Sequence, residues 1–111
     1  MNGWMEIGAQ LTALADPTRR AIFDVVRTRS SSVREITDEM SVSQPAVSQH
    51  LKVLRDAGLV TSTTVGRRHI YRADRRGLTV LREWINSLWD EPMDAFADAA
   101  DSLARTGRTT P

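Results

Sequence analysis

The hydrophobic residues of this chain change their spacing twice, and that change limits the folds available to it. Up to Leu54 the apolar residues recur every three or four positions, which predicts helices. Leu59 to Val65 is rich in β-branched residues, Gly66-Arg67-Arg68 predicts a turn, and His69 to Arg72 predicts a second short strand. Helical spacing returns after Asp74. This order of elements predicts a winged helix-turn-helix domain.

Residues suited to helix ends mark the boundaries of these segments. Asp16 can cap one helix, and Ser32 lies three residues before Glu35, the spacing of a capping box. Ser43 can cap the next helix, which Gly58 is placed to end. We therefore expect a mainly α fold of about five helices and a two-stranded wing, in the order α-α-α-α-β-β-α.

The length of 111 residues fits one domain. We expect this domain to cover residues 1–104, with a disordered tail at 105–111 and a last helix kinked or broken near Pro92. The chain has no cysteine, no long apolar run and no signal pattern in its first ten residues. These features predict a cytoplasmic protein without disulfides or membrane insertion.

Charge is distributed unevenly along the chain. Residues 43–76 hold seven basic and two acidic residues, a balance of +5, whereas residues 1–42 and 77–111 carry −1 and −3. A basic middle between acidic flanks indicates a surface for phosphates. A solvated arginine-rich face is the alternative, and at the hairpin tip it stays open.

The predicted helix after Ser43 has a face suited to the major groove of DNA. Val47, Leu51 and Leu54 point to the core, and the opposite face carries amides, a hydroxyl and cations. Amide side chains can pair with adenine, and cations approach phosphates. We expect base reading by Gln44, Pro45, Ser48, Gln49 and Lys52. We expect backbone contacts by Ser43, Arg55, Arg67, Arg68 and Arg72. An ordinary amphipathic surface helix is the alternative.

Three segments resemble the ArsR/SmtB family of winged helix repressors. They read LADPTRRAIFDVV, VREITDEMSVSQPAVSQHLKVLRDAGLV and VGRRHIYRAD, and the similarity extends from about Leu11 to Ser87. Within the family the chain is similar to the SdpR-like autorepressors, which lack metal sites. The resemblance implies a homodimer on a pseudo-palindromic operator, released by an effector or a sequestering protein. It also assigns base-reading positions to Gln44, Pro45, Ser48 and Gln49.

The residues that metal sensing or catalysis would need are missing from the sequence. Metal-sensing members of the family carry a cysteine pair in the third helix, or Asp and His in the last. This chain has no cysteine and only two histidines, His50 and His69, too few for a Cys or multi-His site in one subunit. No phosphate loop, nucleophile elbow or carboxylate pair is present. We expect no metal, no cofactor and no enzymatic activity.

The first and last helices carry more apolar residues than a chain of this size needs. We expect a homodimer through Trp4, Ile7, Leu11, Leu81, Trp84, Leu88 and Trp89, because two related reading helices span one turn of DNA. Packing of all these residues inside one subunit is the alternative. Two other functions also stay open. One is a winged helix that binds protein instead of DNA. The other is a ligand-responsive repressor with an effector among Trp4, Trp84, Trp89 and Phe96.

Overall fold

Five helices and a small antiparallel sheet make up the described part of the chain. The computed structural model describes the backbone of residues 3–105 and the side chains of residues 7–90 and 99–103. The elements are α1 (Gly3–Ala15), α2 (Pro17–Thr28), β1 (Ser31–Ser32), α3 (Val33–Asp38), α4 (Gln44–Asp56), β2 (Val60–Val65), β3 (Arg68–Ala73) and α5 (Arg75–Arg105). The chain divides into two compact units, residues 1–81 and 82–111. The predicted winged helix-turn-helix order is confirmed.

The predicted helix caps are in place. The Asp16 carboxylate accepts a hydrogen bond from the Arg19 backbone N–H at 3.0 Å. Ser32 and Glu35 form the reciprocal capping box, with the Glu35 N–H donating to the Ser32 hydroxyl at 3.1 Å and the Ser32 N–H donating to the Glu35 carboxylate at 2.8 Å. Such caps satisfy amides that the first turn of a helix leaves unpaired, which fixes where each helix begins.

The sheet has three strands rather than the predicted two. Its order is β1-β3-β2, with Ser31 and Ser32 in register with Tyr71 and Ile70. A run of serines has low intrinsic preference for strands, so the sequence predicts only a polar connection there. The extended backbone of Ser31 and Ser32, just before α3, pairs with the free edge of β3. This pairing connects the start of α3 to the wing.

The core of the first unit comes from one face of each helix. The fully buried apolar side chains on α2, α3 and α4 and just beyond α4 are Ile22, Val26, Ile36, Val47, Leu51, Leu54, Leu59 and Val60. Val47, Leu51 and Leu54 are buried as predicted, which leaves the other side of α4 to solvent. At about 25 cal/mol per Å² of apolar surface, each of these large side chains stabilises the fold by roughly 1.5–3 kcal/mol.

The C-terminal end of α4 is closed by a glycine turn. Gly58 has a φ of +80°, the left-handed conformation that favours glycine. Its N–H donates to the Arg55 carbonyl at 2.9 Å, and the Leu59 N–H donates to the Leu54 carbonyl at 2.9 Å. These two bonds form a Schellman motif, the ending predicted for this helix. The turn delivers the chain directly into β2.

The last helix continues past Pro92. The backbone is helical from Arg75 to Arg105, so the helix is not broken there, and a kink at Pro92 stays a prediction. A proline removes one N–H donor from a helix, and a helix of 31 residues retains most of its other backbone bonds. In the second unit the exposed apolar side chains of α5 include Ile85, Leu88 and Trp89.

Candidate nucleic-acid interface

The exposed face of α4 presents the predicted base-reading side chains to solvent. Gln44, Pro45, Ser48, Gln49, Lys52 and Arg55 are all exposed on this helix. The spacing of the buried residues forces this arrangement, because positions three and four apart share one side of a helix. The face offers amide, hydroxyl and cationic groups, the types that bind base edges and phosphates in the major groove.

The start of α4 offers fewer amides to an anion than a helix start usually does. The Ser43 hydroxyl accepts a hydrogen bond from the Ala46 N–H at 3.3 Å, and Pro45 has no N–H to give. Gln44 N–H is therefore the amide of the first turn that a phosphate could use. The hydroxyl proton of Ser43 remains a second donor, since the cap uses only the oxygen as an acceptor.

The wing and the start of α4 line the same surface cleft. It has a volume of about 480 Å³ and is lined by Ser32, Val33, Arg34, Glu35, Asp38, Gln44, Arg67, Arg68 and His69. Two wing arginines therefore lie at the same cleft as the first residue of the reading helix. Their side chains are exposed, as a contact with DNA requires.

The wing turn is tight and exposed. Val65 is in register with Arg68, so Gly66 and Arg67 alone form the loop between the strands. Gly66 takes a φ of +65°, which a two-residue hairpin loop demands. Arg68 is therefore the first residue of β3 rather than part of the turn. Across the hairpin, His69 Nδ1 lies 3.4 Å from Thr64 Oγ1.

Arg68 contacts an acid on α3. Its Nη2 lies 3.6 Å from Glu35 Oε1, the oxygen that also accepts the Ser32 backbone N–H. The backbone hydrogen bond from Ser32 is the main reason why the pKa of Glu35 is lowered, and the Ser32 hydroxyl and the charges of Arg68 and Arg29 act in the same direction. Glu35 is thus held as a carboxylate beside the wing.

The cations farther along α4 are engaged by one acid. Lys52 Nζ lies 3.1 Å from Asp56 Oδ2, and Arg55 Nε lies 3.9 Å from Asp56 Oδ1. All three side chains are about half exposed or more, and exposed pairs of this kind contribute little to stability. Both cations can therefore leave Asp56 for a phosphate at small cost.

Arg72 lies apart from the other wing arginines. It is exposed near the base of β3, in register with Thr61, and lines a second cleft with Arg75 and Arg76. The structure thus brings Arg67, Arg68 and Gln44 to one cleft and places Arg72 at another. The backbone contact expected of Arg72 stays a prediction.

Three charged residues at the cleft shared with the wing, Arg34, Glu35 and Asp38, were not identified as site residues from sequence. Arg34 is exposed one residue after the start of α3, and Glu35 was interpreted only as a capping residue. Both reach the wing because Ser31 and Ser32 pair with β3. No local pattern in the sequence predicts that pairing.

The residues expected at a dimer interface divide into several groups. Ile7 is 5% exposed in the single chain, which leaves it little area for a partner, and Leu81 packs against the core of the first unit. Leu11, Leu88 and Trp89 are exposed by 43%, 50% and 68%. Trp84 is partly buried. The side chain of Trp4 lies outside the described residues, as does that of Phe96, which was a candidate for the effector cavity rather than the interface.

Within the part of the chain that the structure describes, no group of three or more His, Cys, Asp or Glu side chains is arranged to hold a metal ion. Among the described helices, none combines the length and apolar character needed to cross a membrane.

Comparisons with known proteins agree with the fold. Residues 16–62 match the model of the bacterial regulatory protein, arsR family. The HTH-type transcriptional regulator Rv2034 of Mycobacterium tuberculosis is 42% identical over 90 residues, which cover 81% of this chain and 84% of that protein. The transcriptional repressor SdpR of Bacillus subtilis is 31% identical over 74 residues, 67% of this chain and 79% of that protein.

A solved structure gives the same result for the three-dimensional arrangement. The ArsR-like transcriptional regulator from Rhodococcus sp. RHA1 superimposes with a TM-score of 0.71 at 32% identity, covering 87% of this chain and 94% of that chain. The chain therefore belongs to the ArsR family of bacterial regulatory proteins and is a transcriptional regulator with a winged helix-turn-helix fold.

Proposed function

We propose that this regulator is a repressor that binds a pseudo-palindromic operator as a homodimer, including an operator in its own promoter. The exposed face of α4 reads bases in the major groove, and the wing arginines contact phosphates beside it. The observation that carries the proposal is the cleft shared by Gln44, Arg67 and Arg68, because it joins a base-reading group to two backbone-binding groups. Such a protein acts in the cytoplasm, where it meets DNA.

Base reading is assigned to the first three turns of α4. Gln44 and Gln49 each carry an amide that can bond adenine N6 and N7 together, and Ser48 lies on the same exposed face. Pro45 offers an apolar contact. Lys52 lies farther along α4. It must leave its ion pair with Asp56 to bind DNA, and this exchange reduces its contribution to the affinity.

Backbone contacts are assigned to the ends of this surface. Arg67 at the wing tip, Arg68 beside it and Arg34 at the start of α3 line the cleft as cations. Ser43 and Arg55 lie at the two ends of α4, with Arg72 farther along the wing. Each cation that neutralises a phosphate steepens the salt dependence of binding by about one unit.

The homodimer is assigned to the exposed apolar face of α5. Ile85, Leu88 and Trp89 follow the spacing of one helix side and are exposed by 49%, 50% and 68% in the single chain. A cluster of large apolar side chains of this kind marks a protein contact. Leu11 on α1 is a further candidate.

The experiment is fluorescence anisotropy of labelled duplexes at increasing salt concentration. We expect the full chain to bind DNA from upstream of its own gene much more tightly than random duplex, with an affinity that falls steeply with salt. Equal, salt-independent binding to both duplexes would contradict the proposal and favour a winged helix that binds protein. Release of the bound DNA by a small molecule would favour a ligand-responsive repressor.

A further inference from the structure

We propose that Glu35 is a positioning residue that holds the wing arginine Arg68 at the start of α3 and competes with DNA for it. The inference rests on the proposed contact between the wing and phosphates. It assigns Glu35 a second task besides capping, namely to lower the affinity of the wing for DNA of any sequence. Arg68 then exchanges between a carboxylate in the free protein and a phosphate in the complex.

The Glu35 carboxylate is held by the cap and also contacts Arg68. One oxygen, Glu35 Oε1, lies 2.8 Å from the Ser32 backbone nitrogen and 3.6 Å from Arg68 Nη2. The cap therefore fixes the position of the carboxylate before the arginine reaches it. Ser32 is also in register with Ile70 of β3, two residues from Arg68, so the two partners belong to elements that are hydrogen-bonded together.

The Glu35 side chain contributes both an oxygen acceptor and a negative charge. A capping box can use either glutamate or glutamine at this position, because both side chains supply an oxygen acceptor. The cap can therefore form without the negative charge of Glu35, although the charged form binds the Ser32 amide more strongly. Besides its role in the cap, that charge acts on Arg68, with which Glu35 forms an ion pair, and on any phosphate that enters the cleft.

The ion pair between Arg68 and Glu35 is exposed to solvent. The Arg68 and Glu35 side chains are 59% and 49% exposed, so their pair is weak and can exchange with a phosphate. A deeply buried pair would lock the wing, whereas an exposed one only reduces the gain from each phosphate contact. Like charges also repel, so Glu35 opposes the DNA backbone at the same cleft.

The test compares substitutions in the full chain. Glu35→Gln keeps the acceptor of the cap and removes the charge. Asp38→Asn removes an equal charge from the same cleft and serves as the control, since the described ion pairs link Arg68 to Glu35 and not to Asp38. Thermal unfolding checks that both variants remain folded. The affinity for DNA is measured by fluorescence anisotropy with a random duplex and with the upstream DNA that the parent chain binds.

We expect Glu35→Gln to raise the affinity for both duplexes by about two- to fivefold at low salt, more than Asp38→Asn does. In an Arg68→Ala background the two substitutions should have the same effect. The proposal would be overturned if Glu35→Gln raised the affinity as much in the Arg68→Ala background as in the parent chain. It would also be overturned if Glu35→Gln lowered the affinity of the parent chain for DNA. If Arg68→Ala alone leaves affinity unchanged, then the proposed wing contact fails instead.

Discussion

The contact between Gly77 and Gly58 leads to a prediction that opposes the usual rule for helices. Replacing glycine by alanine inside a helix normally stabilises it by about 1 kcal/mol. A Cβ at Gly77 would overlap the carbonyl oxygen of Gly58 and lie 2.7 Å from its carbonyl carbon. That carbon would have to move about 0.7 Å to reach the 3.4 Å of ordinary contact, and its oxygen would have to move farther.

Backbone atoms cannot rotate away as a flexible side chain can, so the clash is severe. Gly58 is fixed by the turn that ends α4, and the Asp74 N–H donates to the Leu59 carbonyl at 2.9 Å beside it. Gln10, which is 1% exposed, also donates to the Gly77 carbonyl at 2.8 Å. Overpacking of this kind costs about 3 kcal/mol, near the upper end of its usual range. After the gain in helix propensity, Gly77→Ala should destabilise the chain by about 2 kcal/mol.

The assay is thermal unfolding followed by circular dichroism at one fixed protein concentration, because association shifts the midpoint. We expect Gly77→Ala to melt about 8 °C lower than the parent chain. Gly8→Ala is the matched control, since Gly8 lies in α1 and a Cβ there meets nothing within 4 Å. It should melt at the same temperature or higher. If both substitutions raised the midpoint, the close approach of Gly77 to Gly58 would be refuted.

Three other substitutions have expected outcomes. Leu54→Ala, in a fully buried site, should lower the free energy of unfolding by about 2–5 kcal/mol in urea titrations, and a loss below about 1 kcal/mol would contradict its core position. Because the pKa of Glu35 is lowered in the fold, its contribution to stability is present at neutral pH and is lost as the pH falls through that lowered pKa. In unfolding titrations, the stability of Glu35→Gln should therefore depend less on acid pH than that of the parent chain. An unchanged acid dependence would contradict the role of the Glu35 carboxylate in the cap. Trp89→Glu should shift sedimentation towards the monomer while Asn86→Glu does not, and equal behaviour of the two would place the dimer contact elsewhere.

Most of the fold could be predicted because its signals are local. The caps at Asp16, Ser32 and Ser43 and the glycine at Gly58 lie where short-range hydrogen bonding requires them. The alternation of buried and exposed residues on α4 follows from helix spacing alone. For the same reason the polar face of this helix could be identified as the candidate site before its surroundings were known.

The features that escaped prediction depend on contacts between distant parts of the chain. The strand at Ser31 and Ser32 exists because β3 offers a free edge, which no serine pattern signals. Arg34 and Glu35 reach the wing only through that pairing. The continuity of α5 past Pro92 shows the converse, since a local helix breaker is tolerated within a long helix.

The central claim is tested most directly by measuring the affinity of two variants, Gln49→Ala and Arg67→Ala. Each variant is measured with the upstream DNA site that the parent chain binds and with random duplex. Gln49 lies on the exposed face of α4, whereas Arg67 lies in the wing loop. Gln49→Ala should weaken binding to the cognate site by about 1–3 kcal/mol and leave random duplex nearly unchanged. Arg67→Ala should weaken both and lower the salt slope by about one unit. Equal losses on both duplexes for both variants would contradict the division between a reading helix and an anchoring wing.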